Sequence, residues 1–380
     1  MTAVEFPAHV GLLEAWLQRV EEKGLLSGRG ARSSSAAGSA ATDSEQVSLH
    51  ENVLRTYWAA VAGLLALCPA PASGQAPPER HPLIIDMHLH ALAADFAGPP
   101  PDSVCAPIER FEPQDPRDAR APWPVTCSHT LSSPPTDSAL IHRTLDLLDR
   151  WNVLAVTSGP IANVRRWHAA APSRIIPGLL TGGSVPLDSI RTWADDSTIR
   201  VLGELTFQYA GLSPADSIAE AHFALAERLD LPVGIHMALG PPGEAYTGNP
   251  HYRARLGDPL LLEETLVRHP HLRIHVMHAG YPRLESMLAL LLSHPQVYVD
   301  IAVIDWLLPR TVFYDYLKRL VDAGFEHRIM FGSDAMIWPD ALPLAIGAVE
   351  QAPFLTATQK RAILCDNAAR FLRLGLGVCH

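Results

Sequence analysis

The chain has 380 residues, 48% of them hydrophobic and 18% charged, a mixture that buries a sizeable core and excludes a wholly disordered protein. Its formal net charge of −10, with no run of Lys or Arg, excludes a nucleic-acid footprint and a polybasic membrane surface, which leaves small molecules as the expected partners. Histidine is plentiful at 18 residues, and the only lysines are Lys23, Lys318 and Lys360.

Residues 26–46 are small, polar and aperiodic, so they offer no face to pack and read as disordered. Arg55 is then followed by an apolar run from Trp58 to Cys68 and by Ala70-Pro71-Ala72. Basic start, short hydrophobic centre and small-residue cleavage site are the layout of a secretory signal, and the run is too short to span a bilayer. Residues 1–52 are therefore expected to be a disordered extension or an over-extended gene start, residues 53–76 a signal-like segment, and residues 77–380 the folded domain. On this reading the protein is exported, for example to a periplasm. The alternative is a buried or interfacial apolar helix on a cytoplasmic protein.

From Pro82 onward short apolar runs alternate with amphipathic stretches, the pattern of a parallel sheet built from βα units. The runs are Leu83–His88, Val153–Thr157, Ile175–Leu179, Val201–Leu205, Val233–His236, Ile274–His278, Val297–Ile301 and Ile329–Gly332. Helical spacing is found in Ser138–Trp151, Pro214–Leu229, Asp258–His269, Arg283–His294, Val312–Ala323 and Asp340–Gln351. No Gly-rich dinucleotide fingerprint follows the first strand, so the expected fold is a (β/α)₈ TIM barrel rather than an open doubly wound sheet. The Pro-rich stretch Ala91–Asp137 interrupts the rhythm, and a loop of that length in a compact domain is usually functional.

Strand one ends in Asp86-Met87-His88-Leu89-His90. Alternate strand residues face the same way, so His88 and His90 project together from its tip as a two-point metal claw. His236 and His278 close two later runs, and Asp334 follows a third. All lie at carboxyl ends of expected strands, the face on which barrel active sites are assembled. Imidazole plus carboxylate suits a divalent metal, zinc first, with manganese, iron or nickel behind it.

The ordered set His88-Leu89-His90, His236, His278-Ala279-Gly280 and Gly332-Ser333-Asp334 resembles the amidohydrolase superfamily. The likeness is to the branch of TIM-barrel metal-dependent hydrolases related to aminocarboxymuconate-semialdehyde decarboxylase, and it covers roughly residues 82–375. It implies that His88, His90 and Asp334 hold the more buried metal, that His236 and His278 serve the same site or a second ion, and that Asp334 and His278 are catalytic. The departure is at strand four. Many binuclear members carry a carbamylated lysine there, whereas this chain has Glu204 in Gly203-Glu204-Leu205. A glutamate can bridge two cations unmodified or orient the ligands of one, so one ion and two ions both stay open.

Tyr209, Tyr281 and Trp338 follow strands four, six and eight and are expected either as substrate-pocket walls or as loop packing. Asp300 alternates with Tyr298 on strand seven and can face the barrel mouth. Asp305, Trp306 and Arg310 lie in the loop after it, to meet substrate or be solvated. His275 is three residues from His278 and by parity is expected between barrel and helices, while His269, His271 and His294 read as structural. In an exported protein Cys105 and Cys127, in the same long loop, can pair.

The leading function is hydrolysis of an amide, lactone or ester bond by a metal-bound hydroxide, and the alternative is non-oxidative decarboxylation on the same barrel. A pocket arginine such as Arg310 or Arg110, holding a carboxylate, would favour the second. A barrel that only binds a ligand is the reading from a different class. Assembly as a homodimer is compatible with the sequence.

Overall fold

The computed structural model describes residues 81–118 and 124–380, so the extension and the signal-like segment at 53–76 lie outside the described residues. Eight strands form one parallel sheet in sequence order. They are β1 Ile84–His90, β2 Val153–Gly159, β3 Ile175–Thr181, β4 Val201–Leu205, β5 Val233–His236, β6 Ile274–Met277, β7 Val297–Asp300 and β8 Ile329–Met330. The two ends of the sheet meet where the Met87 N–H donates to the Phe331 carbonyl at 2.9 Å and the Asp334 N–H to that of His88 at 2.6 Å. The result is a nearly closed (β/α)₈ barrel, as expected from the alternation of strand and helix signals.

Each strand is followed by a covering helix, α1 Asp137–Arg150, α2 Ile161–Ala170, α3 Leu187–Asp195, α4 Ser217–Arg228, α5 Glu263–Arg268, α6 Leu284–Ser293, α7 Arg310–Asp322 and α8 Ala341–Glu350, with shorter helices at Glu244–Thr247, Ile304–Leu307, Ala357–Arg361 and Asn367–Leu372. The start of α1 is fixed by the Thr136 hydroxyl, which accepts from the Ala139 N–H, with Asp137 in the first turn and Arg150 in the last to match the helix dipole. Helices α2 and α3, which the periodicity did not disclose, begin directly after Pro160 and Pro186.

Two apolar clusters hold this frame. The larger joins the outward side chains of the strands, among them Ile84, Val153, Val233, Ile274 and Val297, to the helices. The smaller takes the other strand face, Ile85, Met87, Val156, Ile176, Val201 and Met330, and packs it against Cys365, Ala368, Ala369 and Phe371 of the C-terminal segment. That segment plugs the barrel: Phe331 donates its N–H to the Ile363 carbonyl, and a disulfide joins Cys365 to Cys379.

The long loop after β1 is folded rather than open. Ser103–Cys105 pairs with Thr130–Ser132, and Arg110–Phe111 with Val125–Thr126, both antiparallel. Cys105 and Cys127 are joined in a disulfide, the pairing expected for an exported chain. The loop is pinned to its neighbours by the Ile108 N–H on the Leu307 carbonyl at 2.8 Å and by the Trp338 indole N–H on the Asp102 carbonyl at 3.1 Å. Among the described residues no helix is long and apolar enough to cross a membrane.

Candidate metal centre

The strand ends bring six predicted residues into one buried cluster. His88 and His90 leave the end of β1, Glu204 lies on β4, His236 is the last residue of β5, His278 follows β6 and Asp334 follows β8. Each is less than a tenth exposed. The Nε2 atoms of His88 and His90 face each other at 3.2 Å, and Asp334 Oδ1 is 3.1 Å from His90 Nε2. Glu204 reaches across: Oε1 is 2.7 Å from His236 Nδ1, and Oε2 is 3.5 Å from His90 Nε2 and 3.8 Å from His88 Nε2. The ring nitrogen His278 Nε2 lies 3.1 Å from His236 Nδ1.

Two triads in this cluster have ligand atoms close enough to share an ion: His88 with His90 and Asp334, and His88 with Glu204 and His278. The donor set fits a divalent cation. Several nitrogens and carboxylate oxygens converge, and Asp334 Oδ1 is buried with no hydrogen bond from any described residue, while His236, which faces the cluster through Nδ1, belongs to neither triad. Unpaired buried polar atoms are costly, and a cation relieves that cost.

The electrostatics show the same pressure. Burial disfavours a charged His88 ring, yet the carboxylates of Asp334 and Asp300 outweigh it and hold its pKa well above the ordinary value. Burial would also raise Glu204, but hydrogen bonds from His236, His278 and His88 bring its pKa well below the ordinary carboxylate range. His236 is pushed down by burial, against the pull of Glu204. These carboxylates call for positive charge, which protons or a cation can supply.

Beneath the cluster lie two buried carboxylates. Asp86 accepts from the His88 N–H at 2.9 Å, the Ser333 N–H at 3.0 Å and the Ser333 hydroxyl at 2.5 Å, tying β1 to the chain after β8. Burial nevertheless raises its pKa to about 6. Asp300 accepts from the N–H groups of His278 and Ala302, at 2.9 and 3.1 Å. Gly332 permits the close approach of β8 to β1, since a Cβ there would sit 2.9 Å from His88 Cβ.

The predicted substrate contacts divide. Tyr209 stands against the cluster, its ring 4.9 Å from that of His236, and burial drives its phenol pKa well up. The other three are not brought to the ligand atoms by any described contact. Tyr281 stacks edge-on to Tyr316 at 5.2 Å. The Arg310 guanidinium donates to the Asp305 carbonyl at 3.0 Å and lies over the Tyr314 ring. Trp338 is 2% exposed and holds the long loop. Asp305 and Trp306 are buried rather than solvated. His269 is structural as expected, bridging Glu227 and Glu220 at 2.9 and 2.8 Å.

His275 corrects its expectation. It lies inside the barrel, 0% exposed, with Nε2 3.2 Å from Asp300 Oδ2. The parity argument fails because β6 ends at Met277 and His278 has φ 56°, a left-handed turn that breaks strand alternation. Asp86 was also missed as a support, although its place two residues before His88 was a visible signal.

A family profile described as Amidohydrolase matches residues 85–374. Among solved structures, a probable 2-pyrone-4,6-dicarboxylic acid hydrolase from Acinetobacter baumannii, with citric acid bound, is similar at 15% identity and a TM-score of 0.51, covering 76% of this chain and 99% of that one. The 5-carboxyvanillate decarboxylase of Sphingomonas paucimobilis is 16% identical with a TM-score of 0.44, covering 60% and 82%. A 5-carboxyvanillate decarboxylase from Novosphingobium aromaticivorans, complexed with manganese, is 15% identical with a TM-score of 0.45, covering 61% and 79%. The first of these likenesses supports the barrel fold, and none is near enough in sequence to carry an activity across. A comparison with curated proteins finds no match. On the profile match and the eight-stranded barrel, the chain belongs to the amidohydrolase family.

Proposed function

We propose that the protein is a metal-dependent hydrolase acting on an amide, lactone or ester bond of a small molecule. The observation that carries the reading is the convergence of His88, His90 and Asp334, and of His88, Glu204 and His278, on shared points inside the barrel mouth. Those residues would hold one or two divalent ions, with zinc first by the chemistry of the donors. When bound, the ion would polarise the scissile carbonyl and make a water acidic at neutral pH.

The chain's own residues do the rest. Asp334, whose Oδ1 accepts no hydrogen bond from a described residue, is placed to take a proton from the attacking water and return it to the leaving group, as a general base turned general acid. His278 is held by two contacts, its N–H on Asp300 and Nδ1 3.0 Å from the Ala302 carbonyl. A neutral ring therefore donates from Nδ1 and keeps the Nε2 lone pair toward the cluster. Tyr209 walls one side beside His236 and excludes water there.

Decarboxylation is the alternative, and the two arginines named for holding a carboxylate are engaged elsewhere. Arg110 is exposed and pairs with Glu112 at 2.7 Å, and Arg310 is bound to the Asp305 carbonyl. Both disulfides support an oxidising compartment and hence export. The test is a turnover screen of metal-loaded protein over lactones, esters, amides and aromatic carboxylates. Release of acid from one of the first three classes is expected, and carbon dioxide from the last class alone would replace hydrolysis by decarboxylation.

A further inference from the structure

We propose that Asp300, with His275 behind it, is the positioning group of the metal centre: it sets the His88 ring and the His278 backbone together, and His275 keeps its carboxylate aimed at His88. The inference rests on reading the cluster as a cation site. It gives a role to Asp300, which the sequence placed only toward the barrel mouth, and to His275, which the sequence placed outside the site.

Asp300 is wholly buried; Oδ1 carries its hydrogen bonds, and Oδ2 makes none of good geometry but faces two ring nitrogens. Oδ1 accepts the N–H groups of His278 and Ala302. Oδ2 lies 3.3 Å from His88 Nδ1 and 3.2 Å from His275 Nε2. An imidazole that turns Nε2 to a cation must place its Nδ1–H on an acceptor, which fixes both tautomer and ring angle. For His88 that acceptor is Asp300, so one carboxylate of β7 governs a ligand from β1 and one from the end of β6.

His275 is built into the barrel to face this carboxylate. Opposite it β5 carries Gly234, where a Cβ would come within 2.7 Å of His275 Cε1, so the missing side chain makes the room. The ring stands edge-on to Phe371 of the C-terminal plug, centroids 5.4 Å apart and planes at 87°. Neither ring nitrogen makes a hydrogen bond of good geometry among the described residues, and Nε2 lies 3.2 Å from Asp300 Oδ2. The charged group the ring faces among the described residues is Asp300. A residue needed only to pack against Phe371 would be apolar, because an imidazole in such a place carries a desolvation cost that only a polar contact offsets.

Two substitutions separate positioning from packing. His275→Phe keeps a ring against Phe371 and removes the donor, whereas His275→Gln spoils the ring packing and keeps an N–H near Nε2. Zn²⁺ and Mn²⁺ affinities of the metal-stripped full chain, measured by chelator competition, are the readout, with melting of the stripped chain alongside. His275→Phe is expected to weaken metal binding by about 10–100-fold, the usual effect of losing such a support, with melting little changed, while His275→Gln stays near the parent. Should the Phe chain not fold, Asp300→Asn is read the same way and is expected to weaken binding equally. Parent-like affinity in the Phe or Asn chain overturns the inference, as does a loss in the Gln chain equal to that in the Phe chain. A parent chain that binds neither ion overturns the cation site itself, a different failure.

Discussion

Replacing Asp334 by Asn separates a carboxylate that moves a proton from one that merely shapes the loop. The backbone at 334 is held independently of the side chain, since its N–H donates to the His88 carbonyl at 2.6 Å. An amide of the same shape therefore leaves the closure of the barrel intact, and it retains one oxygen to face His90 Nε2, now 3.1 Å away. What it loses is the capacity to accept a proton and return it. General acid–base catalysis is worth about 10²–10⁴ in rate, or about 2.7–5.5 kcal/mol of barrier. Steady-state kinetics on the substrate found by the screen should show kcat falling by that factor in Asp334→Asn, with the melting temperature nearly unchanged. Metal content measured on the same samples separates proton transfer from ligation. An Asn chain that carries its metal and turns over at nearly the parental rate would refute the role given to Asp334.

Glu204→Gln should lower metal content to about one equivalent or less while the chain remains folded, because a neutral amide cannot offset two adjacent cations; an unchanged content of two ions would remove Glu204 from the bridge. Thiol titration under denaturing, non-reducing conditions should find Cys105, Cys127, Cys365 and Cys379 unreactive. Closed at separations of 22 and 14 residues, the two bonds are each worth about 3 kcal/mol in the chain-entropy model, so reduction should lower the melting temperature, and a chain indifferent to reductant would contradict this. Asp305 is buried with both oxygens unpaired, and burial, reinforced by Asp86 and Asp300 and opposed by Arg310, holds its pKa well above the ordinary value. The folded state therefore keeps a proton that the unfolded chain releases near pH 4, and this group's contribution to stability falls as pH rises from there through the raised value. Urea unfolding at several pH values should find Asp305→Asn gaining on the parent as pH rises across that window, and parallel curves would contradict it.

The barrel was legible because short apolar runs alternating with amphipathic stretches are a local signal, and three of those runs end in His. The bounds Val201–Leu205 and Val233–His236 are the ones expected, and the residues at the strand ends converge in one buried cluster. What stayed hidden depended on distant partners. Ser103–Cys105 pairs with Thr130–Ser132 across the long loop, and nothing within a three-residue strand names its partner. Cys365 and Cys379 meet only because the C-terminal segment folds back on itself, and cysteine spacing does not disclose connectivity. His275 was misplaced because a single left-handed residue, His278, ended the alternation on which the reading relied. Tyr281, Trp338 and Arg310 meet Tyr316, the Asp102 carbonyl and the Asp305 carbonyl, partners that a position after a strand end does not name.

The most direct test of a metal-dependent hydrolase is elemental analysis of the purified chain, with turnover followed through removal and return of the metal. Roughly one to two equivalents of a divalent ion are expected, with loss of hydrolysis when a chelator strips it and recovery on adding Zn²⁺ or Mn²⁺. Full hydrolytic turnover by the stripped chain would contradict metal dependence.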